Sequence, residues 1–186
     1  LFPYLRGHYH RDILHDLWVL IELDNDWERL FWNRRYDTTP VKLKGDLVDW
    51  IQFVEHPVDR KSFLIALTND THEIAGLVWF YNMTDELAHG SIWMARKFRG
   101  LYTREAVNIG LEYSFYARGW KTVWAGTPWP VARNLLLRCG FKLKNEIDEL
   151  YGKRLYLLSC KEEDYGRGNR RGFTNNTPKS IGQSAS

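Results

Sequence analysis

Ser91-Ile92-Trp93-Met94-Ala95, then Arg96-Lys97-Phe98-Arg99-Gly100-Leu101-Tyr102, then Thr103-Arg104-Glu105-Ala106-Val107 is the stretch on which the fold turns. Its first part is rich in β-formers, its second is basic and carries a glycine, and its third opens a different period. From Thr103 or Arg104 onward, Val107, Leu111, Ser114 and Phe115 make one stripe beside Ala106, Gly110, Tyr113 and Ala117. The pattern predicts an amphipathic helix that ends at Gly119, a C-terminal cap position. A strand that feeds a helix through a short loop is the unit from which sheets covered by helices are built.

Working outward toward the N-terminus, Ser62 to Leu67 and Ile74 to Met83 are β-rich runs separated by the polar loop Thr68-Asn69-Asp70-Thr71-His72. They predict an antiparallel hairpin. The second run has no polar face, which places it in the middle of a sheet. Together with Ser91 to Ala95 these runs form a meander. Gly45-Asp46 opens a helix with Leu47, Trp50, Ile51 and Val54 at helical spacing, closed by His56-Pro57. Before that, Leu17 to Leu23 reads as a short strand, and Asp26 to Arg35 as a helix capped by Asp26.

Toward the C-terminus, Thr122 to Gly126 reads as a strand. Pro130 starts a helix with Val131, Leu135 and Cys139 on its buried side and Gly140 at its end. Leu155 to Cys160 is the last strand. The expected architecture is an α/β mixed sheet with helices on its faces, divided as an N-terminal extension (1–45), a core (46–160) and a basic low-complexity tail (161–186). From Tyr165 the composition turns to Gly, Asn, Ser, Thr and Arg, which predicts disorder in isolation. Removal of everything after Asp164 is expected to leave the fold intact.

The chain has 186 residues, enough for one core, and a net charge of +3 that sits in the tail at Arg167, Arg170, Arg171 and Lys179. A near-neutral core speaks against nucleic acid, and no apolar run is long enough for a membrane span. Nine Trp, ten Tyr and nine Phe suggest a thick core or a contact surface. Cys139 and Cys160 are the only cysteines and form no C-x-x-C pair, which fits reduced thiols and a cytoplasmic setting. His8, His10 and His15 lack the spacing of a zinc site, so no metal is expected.

The order of elements over Asp46 to Cys160 resembles that of the GCN5-related N-acetyltransferase family. Ile92 to Gly100 is similar to its fourth strand and the start of its pyrophosphate loop, and Arg104-Glu105-Ala106-Val107 to the helix start in its N-terminal acetylase branch. Trp124-Ala125-Gly126-Thr127, with a helix closing in Cys139-Gly140-Phe141, resembles its fifth strand, fourth helix and terminal Gly-Phe. The resemblance implies acetyl-CoA as cofactor, with Arg99, Gly100, Leu101, Tyr102, Thr103 and Arg104 at the pyrophosphate and the backbone of Met94 and Ala95 along the pantetheine arm.

Counted from Arg99, the family's inner glycine places hold Tyr102 and Arg104, and the places of its Asn and its acid Tyr hold Trp129 and Leu136. Bulky residues in that loop predict weak coenzyme A binding. His89, just before the strand, is the candidate base by its reference pKa, or an exposed loop histidine. Thr127 is a candidate substrate contact or a cap for the next helix, and Trp124 and Trp129 candidate cleft walls. Two functions fit: an acetyl-CoA-dependent N-acetyltransferase acting on a primary amine, or a structural component of a larger assembly with the same fold, such as a phage virion protein. A docking role for the tail, with Phe173 and Ile181 in a partner's pockets, would accompany the second.

Overall fold

The computed structural model describes residues 2–4, 11–26, 63–69, 71–100, 102–150 and 153–169. The expected helices over 26–35 and 46–54, and Phe173 and Ile181, lie outside the described residues.

Strands β1 (Phe2–Tyr4), β2 (Phe63–Thr68), β3 (Ile74–Tyr81), β4 (Leu87–Met94), β5 (Thr122–Thr127), β6 (Lys142–Leu150) and β7 (Lys153–Lys161) form one sheet in the order β1-β2-β3-β4-β5-β7-β6. Every pairing is antiparallel except β4 with β5. The meander is as expected. Its first turn is built by the Asn69 carboxamide oxygen, which accepts from the Thr71 N–H, the Thr71 hydroxyl and the Glu73 N–H. β3 is buried along nearly its whole length, as a strand without a polar face must be.

Among the described residues four helices accompany the sheet: α1 (Arg11–Asp24), α2 (Thr103–Glu112), α3 (Pro130–Arg138) and α4 (Glu162–Asn169). The strand expected over Leu17 to Leu23 is instead part of α1. A continuous apolar run fits either conformation, and the decision comes from packing: Leu17 and Ile21, four apart on one helical face, are wholly buried, while Leu23 points to solvent. α2 continues into one π-helical turn, Tyr113–Ala117, in which the Arg118 N–H reaches the Tyr113 carbonyl and the Ser114 hydroxyl donates to the Gly110 carbonyl. Gly119 then takes a φ of +70°. On α3, Leu135 is half-buried and Cys139 caps the end in the core, but Val131 is 82 % exposed, against expectation. It sits in the first turn of α3, at the opening of the cleft between β4 and β5.

β6 has no counterpart among the sequence-predicted strands. It is a solvated edge strand whose residues 142–146 are all exposed, so no buried alternation marks it; its pairing to β7, with register irregularities after Leu143 and Ile147, defines it. The chain beyond Glu162 also departs from its composition. α4 carries Tyr165 into the core at 4 % exposure, where its ring lies 5.6 Å from that of Phe115 and its hydroxyl meets Glu112 Oε1 at 3.3 Å.

Removing the chain after Asp164 therefore takes a core side chain with it, contrary to the composition-based expectation. Tyr165→Ala should cost about 3 kcal/mol of unfolding free energy, in the range for emptying a buried aromatic site. A chain ending at Asp164 should lose at least as much in urea titration, and an unchanged midpoint would show that the core closes without this ring.

Candidate functional site

β4 and β5 are paired only through Leu87↔Thr122, Ala88↔Val123 and His89↔Trp124. Beyond that vertex each follows its other neighbour: β4 stays on β3 as far as Gly76↔Met94, and β5 on β7 as far as Thr127↔Tyr156. A cleft of about 700 Å³ occupies the resulting fork. Its floor is apolar, with Val78 and Phe80 of β3, Val107, Gly110 and Leu111 of α2, and Val123 and Ala125 of β5.

The parting strands leave backbone groups without a strand partner. The Ala95 N–H donates to the Ala75 carbonyl at 2.9 Å. By strand alternation, the N–H and C=O groups of Ile92 and Met94 then point the other way, toward β5, across the gap. This corrects the expected pair Met94 and Ala95: Ala95 spends its N–H inside the sheet and does not line the cleft, whereas Ile92 and Met94 do.

The loop after β4 makes one 3-10 turn, Arg96–Phe98, that buries Phe98, and reaches Gly100, whose φ is +79° and whose Cα faces open space. Only a glycine adopts that conformation without strain. The Gly100 N–H donates to Thr103 Oγ1 at 3.1 Å. Thr103 and Arg104 open α2, and among the described residues their N–H groups have no hydrogen-bond acceptor. Free donors at a helix start, with the helix dipole behind them, favour an anion.

Charge in the cleft is one-sided. Arg99, Arg104 and Arg138 line it, and its described walls hold no carboxylate. Arg104 and Arg138 are exposed at the rim. Arg99 is committed elsewhere: Nε donates to the Met94 carbonyl at 3.0 Å, and Nη2 is ion-paired with Asp26 and lies 3.8 Å from Asp24. Burial lowers its pKa and Asp24 raises it, and so far from neutrality it keeps its charge.

Of the other expected cofactor residues, Met94, Gly100, Thr103 and Arg104 line the cleft, while Leu101 lies outside the described residues. Tyr102 does not line it. Its ring is 5.7 Å from Phe98 and packs on the core, so the residue at the family's glycine place is turned away from the opening it was expected to fill. Thr127 is buried and its hydroxyl accepts the Trp129 N–H at 3.2 Å, a local turn ahead of α3, whose cap position is Trp129 and not Thr127. Trp129 lines the cleft and Trp124 does not. Ser91, Asn134 and Arg138 were missed; Asn134 and Arg138, four apart on α3, share the helix face beside Leu135, a spacing that was legible had the helix been placed at an opening.

His89 is half-buried at the vertex, on the face of the sheet it shares with Tyr81, whose ring lies 5.7 Å away. It is not a wall of the cleft, although the next residue, Gly90, is. Burial lowers its pKa from 6.5. His8 and His10 lie outside the described residues, and His15 is exposed beside Asp16.

No family model and no curated protein sequence matches the chain. Solved structures do match. The spermidine N-acetyltransferase of Vibrio cholerae in complex with CoA and spermine shares the fold at a TM-score of 0.70 and 17 % identity, over 88 % of this chain and 97 % of that one. A chimera of that enzyme with hSSAT aligns at a TM-score of 0.68 and 17 % identity, over 90 % of this chain and 99 % of the other. The fold is that of the GCN5-related N-acetyltransferases. The expected fold class thus holds.

The histidine at the vertex offers a direct test of its surroundings. Its lowered pKa means that the unfolded chain binds a proton before the folded one does, so the stability it contributes is present above about pH 6.5 and is lost as pH falls toward the folded pKa. The imidazole resonances of His89 should titrate with a midpoint below 6.5, and His89→Gln should flatten that part of the stability profile. A midpoint above 6.5 would place the ring in an environment that favours its charge.

Proposed function

We propose that this chain is an acetyl-CoA-dependent N-acetyltransferase acting on a primary amine. The observation that carries the reading is the fork between β4 and β5, which leaves the N–H and C=O of Ile92 and the N–H of Met94 without a strand partner beside a helix start whose first N–H groups have no acceptor among the described residues. Backbone groups left without a partner in an apolar cleft cost free energy that a bound ligand would offset.

Coenzyme A fits the donor set. The N–H groups of Thr103 and Arg104, with the backbone at Gly100, would hold its pyrophosphate, and the guanidinium groups of Arg104 and Arg138 add charge at the rim. The edge of β4 at Ile92 and Met94 would pair with the amides of the pantetheine arm as another strand would. When bound, acetyl-CoA supplies a thioester whose acetyl carbon is open to an amine.

The chain's own part is to orient, to exclude water and to move a proton. Val78, Phe80, Val107 and Leu111 make a dry floor in which hydrogen bonds strengthen. Open N–H groups of β4 are the donors for a carbonyl oxygen as it gains negative charge. An ammonium is not a nucleophile, so its proton must leave first; His89, held neutral by burial and next to Gly90 of the cleft, is the acceptor in this reading. Leu136, a cleft wall at the family's acid Tyr, has no proton to give to a leaving group.

Tyr102 or Arg104 filling the opening would favour the structural-component reading, and Arg104 is exposed at its rim. Tyr102 lies on Phe98 instead, and no observation here favours a particle role or fixes what the tail contacts.

The weak coenzyme A binding read from bulky loop residues thereby loses its steric ground at Tyr102. Calorimetry should give a dissociation constant near micromolar, about 8 kcal/mol. Arg104→Gln combined with Arg138→Gln should weaken it by tenfold or more, and millimolar binding by the unaltered chain would return the assembly reading to the front. Turnover of acetyl-CoA with a primary amine, followed by thiol release, should fall about 100-fold in His89→Gln. The acid limb of its kcat profile, set below pH 6.5 in the parent, should vanish with it; a limb that persists assigns the proton to another group.

A further inference from the structure

We infer that Asp26 is a positioning residue for the anion-binding loop, and that Arg99 serves as the strut between them and not as a ligand of the anion. The inference rests on the coenzyme A reading of the cleft and names what holds that site in shape. Asp26 follows the end of α1 and is buried, and its carboxylate accepts from Trp93 Nε1 at 2.9 Å while ion-paired with Arg99. Asp24, at the last position of α1, accepts the Arg96 N–H at its carboxylate and an Arg96 guanidinium N–H at its carbonyl, the latter at 2.9 Å.

The loop from β4 to α2 is thus pinned to the end of α1 by Arg96 and Arg99, and to the sheet by the Met94 carbonyl and the buried ring of Phe98. Arg99 has a second task. Two carboxylates close to an anion site would repel the anion, and the Arg99 guanidinium offsets the Asp26 charge and part of that of Asp24 where they stand. The charge that reads in sequence as a phosphate ligand is spent on the protein's own acids, and the anion is left to the N–H groups of Thr103 and Arg104 and the side chains of Arg104 and Arg138.

The two roles for Arg99 give opposite outcomes in Asp26→Asn. A strut released from its anchor loosens the loop, so coenzyme A binding should weaken about tenfold although a cation has been freed. Arg99→Gln should weaken it by more, because the strut is lost and the buried Asp26 carboxylate is then uncompensated. Asp26→Asn with Arg99→Gln should recover the part of that loss beyond the tenfold of Asp26→Asn alone. If Asp26→Asn binds coenzyme A as well as or better than the parent, and the double variant is as weak as Arg99→Gln, then Arg99 contacts the anion and the inference fails.

Hydrogen exchange on the full chain reads the clamp without any ligand. In Asp26→Asn the amides of Arg96 to Gly100 should exchange at least tenfold faster while those of Val123 and Leu158 keep their rates; equal rates in the loop overturn the inference. Should the unaltered chain fail to bind coenzyme A, the proposed function falls and the exchange result still decides the clamp. Asp24→Asn, at a more exposed carboxylate, should shift both readouts the same way by about twofold to threefold and serves if Asp26→Asn does not fold.

Discussion

Parallel pairing between β4 and β5 stops after His89 and Trp124, and most of what this molecule offers chemically follows from that interruption. A strand satisfies its N–H and C=O groups on both sides or leaves one side to something else. β4 is held along its length by β3, and β5 by β7, so neither can turn to close the gap. The helix that links them, α2, lies across the opening with its first turn at the mouth, and Gly110 brings its backbone near Val78 at the floor, where even an added Cβ would come within 3.2 Å. The gap, the apolar floor and the donor-rich mouth are parts of one topological fact.

Electrostatics then divides the cleft. Arginines line it from three elements, yet they are not equivalent, because among the described residues only Arg99 of the three meets carboxylates. The ends of α1 and of the β4 strand are sewn together there by Asp24, Asp26, Trp93, Arg96 and Arg99. A buried carboxylate is tolerable when each lone pair finds a donor, and Asp26 finds an indole and a guanidinium.

Elements with a strong apolar period were legible from residues alone. The meander, α2 and β5 declare themselves because each buries one face or two, and burial writes a period of two or of 3.6 into the chain. Leu17 to Leu23 was misread because a run that is apolar everywhere but at Glu22 carries no clear period, and β6 was missed because an edge strand in solvent needs none. For the site, Gly100, Thr103, Arg104 and Met94 were found from a motif. The turn of Tyr102 toward Phe98 and the pairing of Arg99 with Asp26 were not legible, since each depends on residues brought together by folding and leaves no spacing to count. Asp26 itself read as the cap of a following helix, while its carboxylate meets residues of β4 and the loop beyond it.

The π-helical turn at Tyr113–Ala117 adds one residue to a turn of α2 without adding one to its length in space. Phe115, inside this turn, stays in the core while Tyr116 beside it points outward, and the helix ends with it at Arg118 and Gly119. A count at 3.6 residues per turn that is true at Thr103 is therefore out of step by the end of the helix.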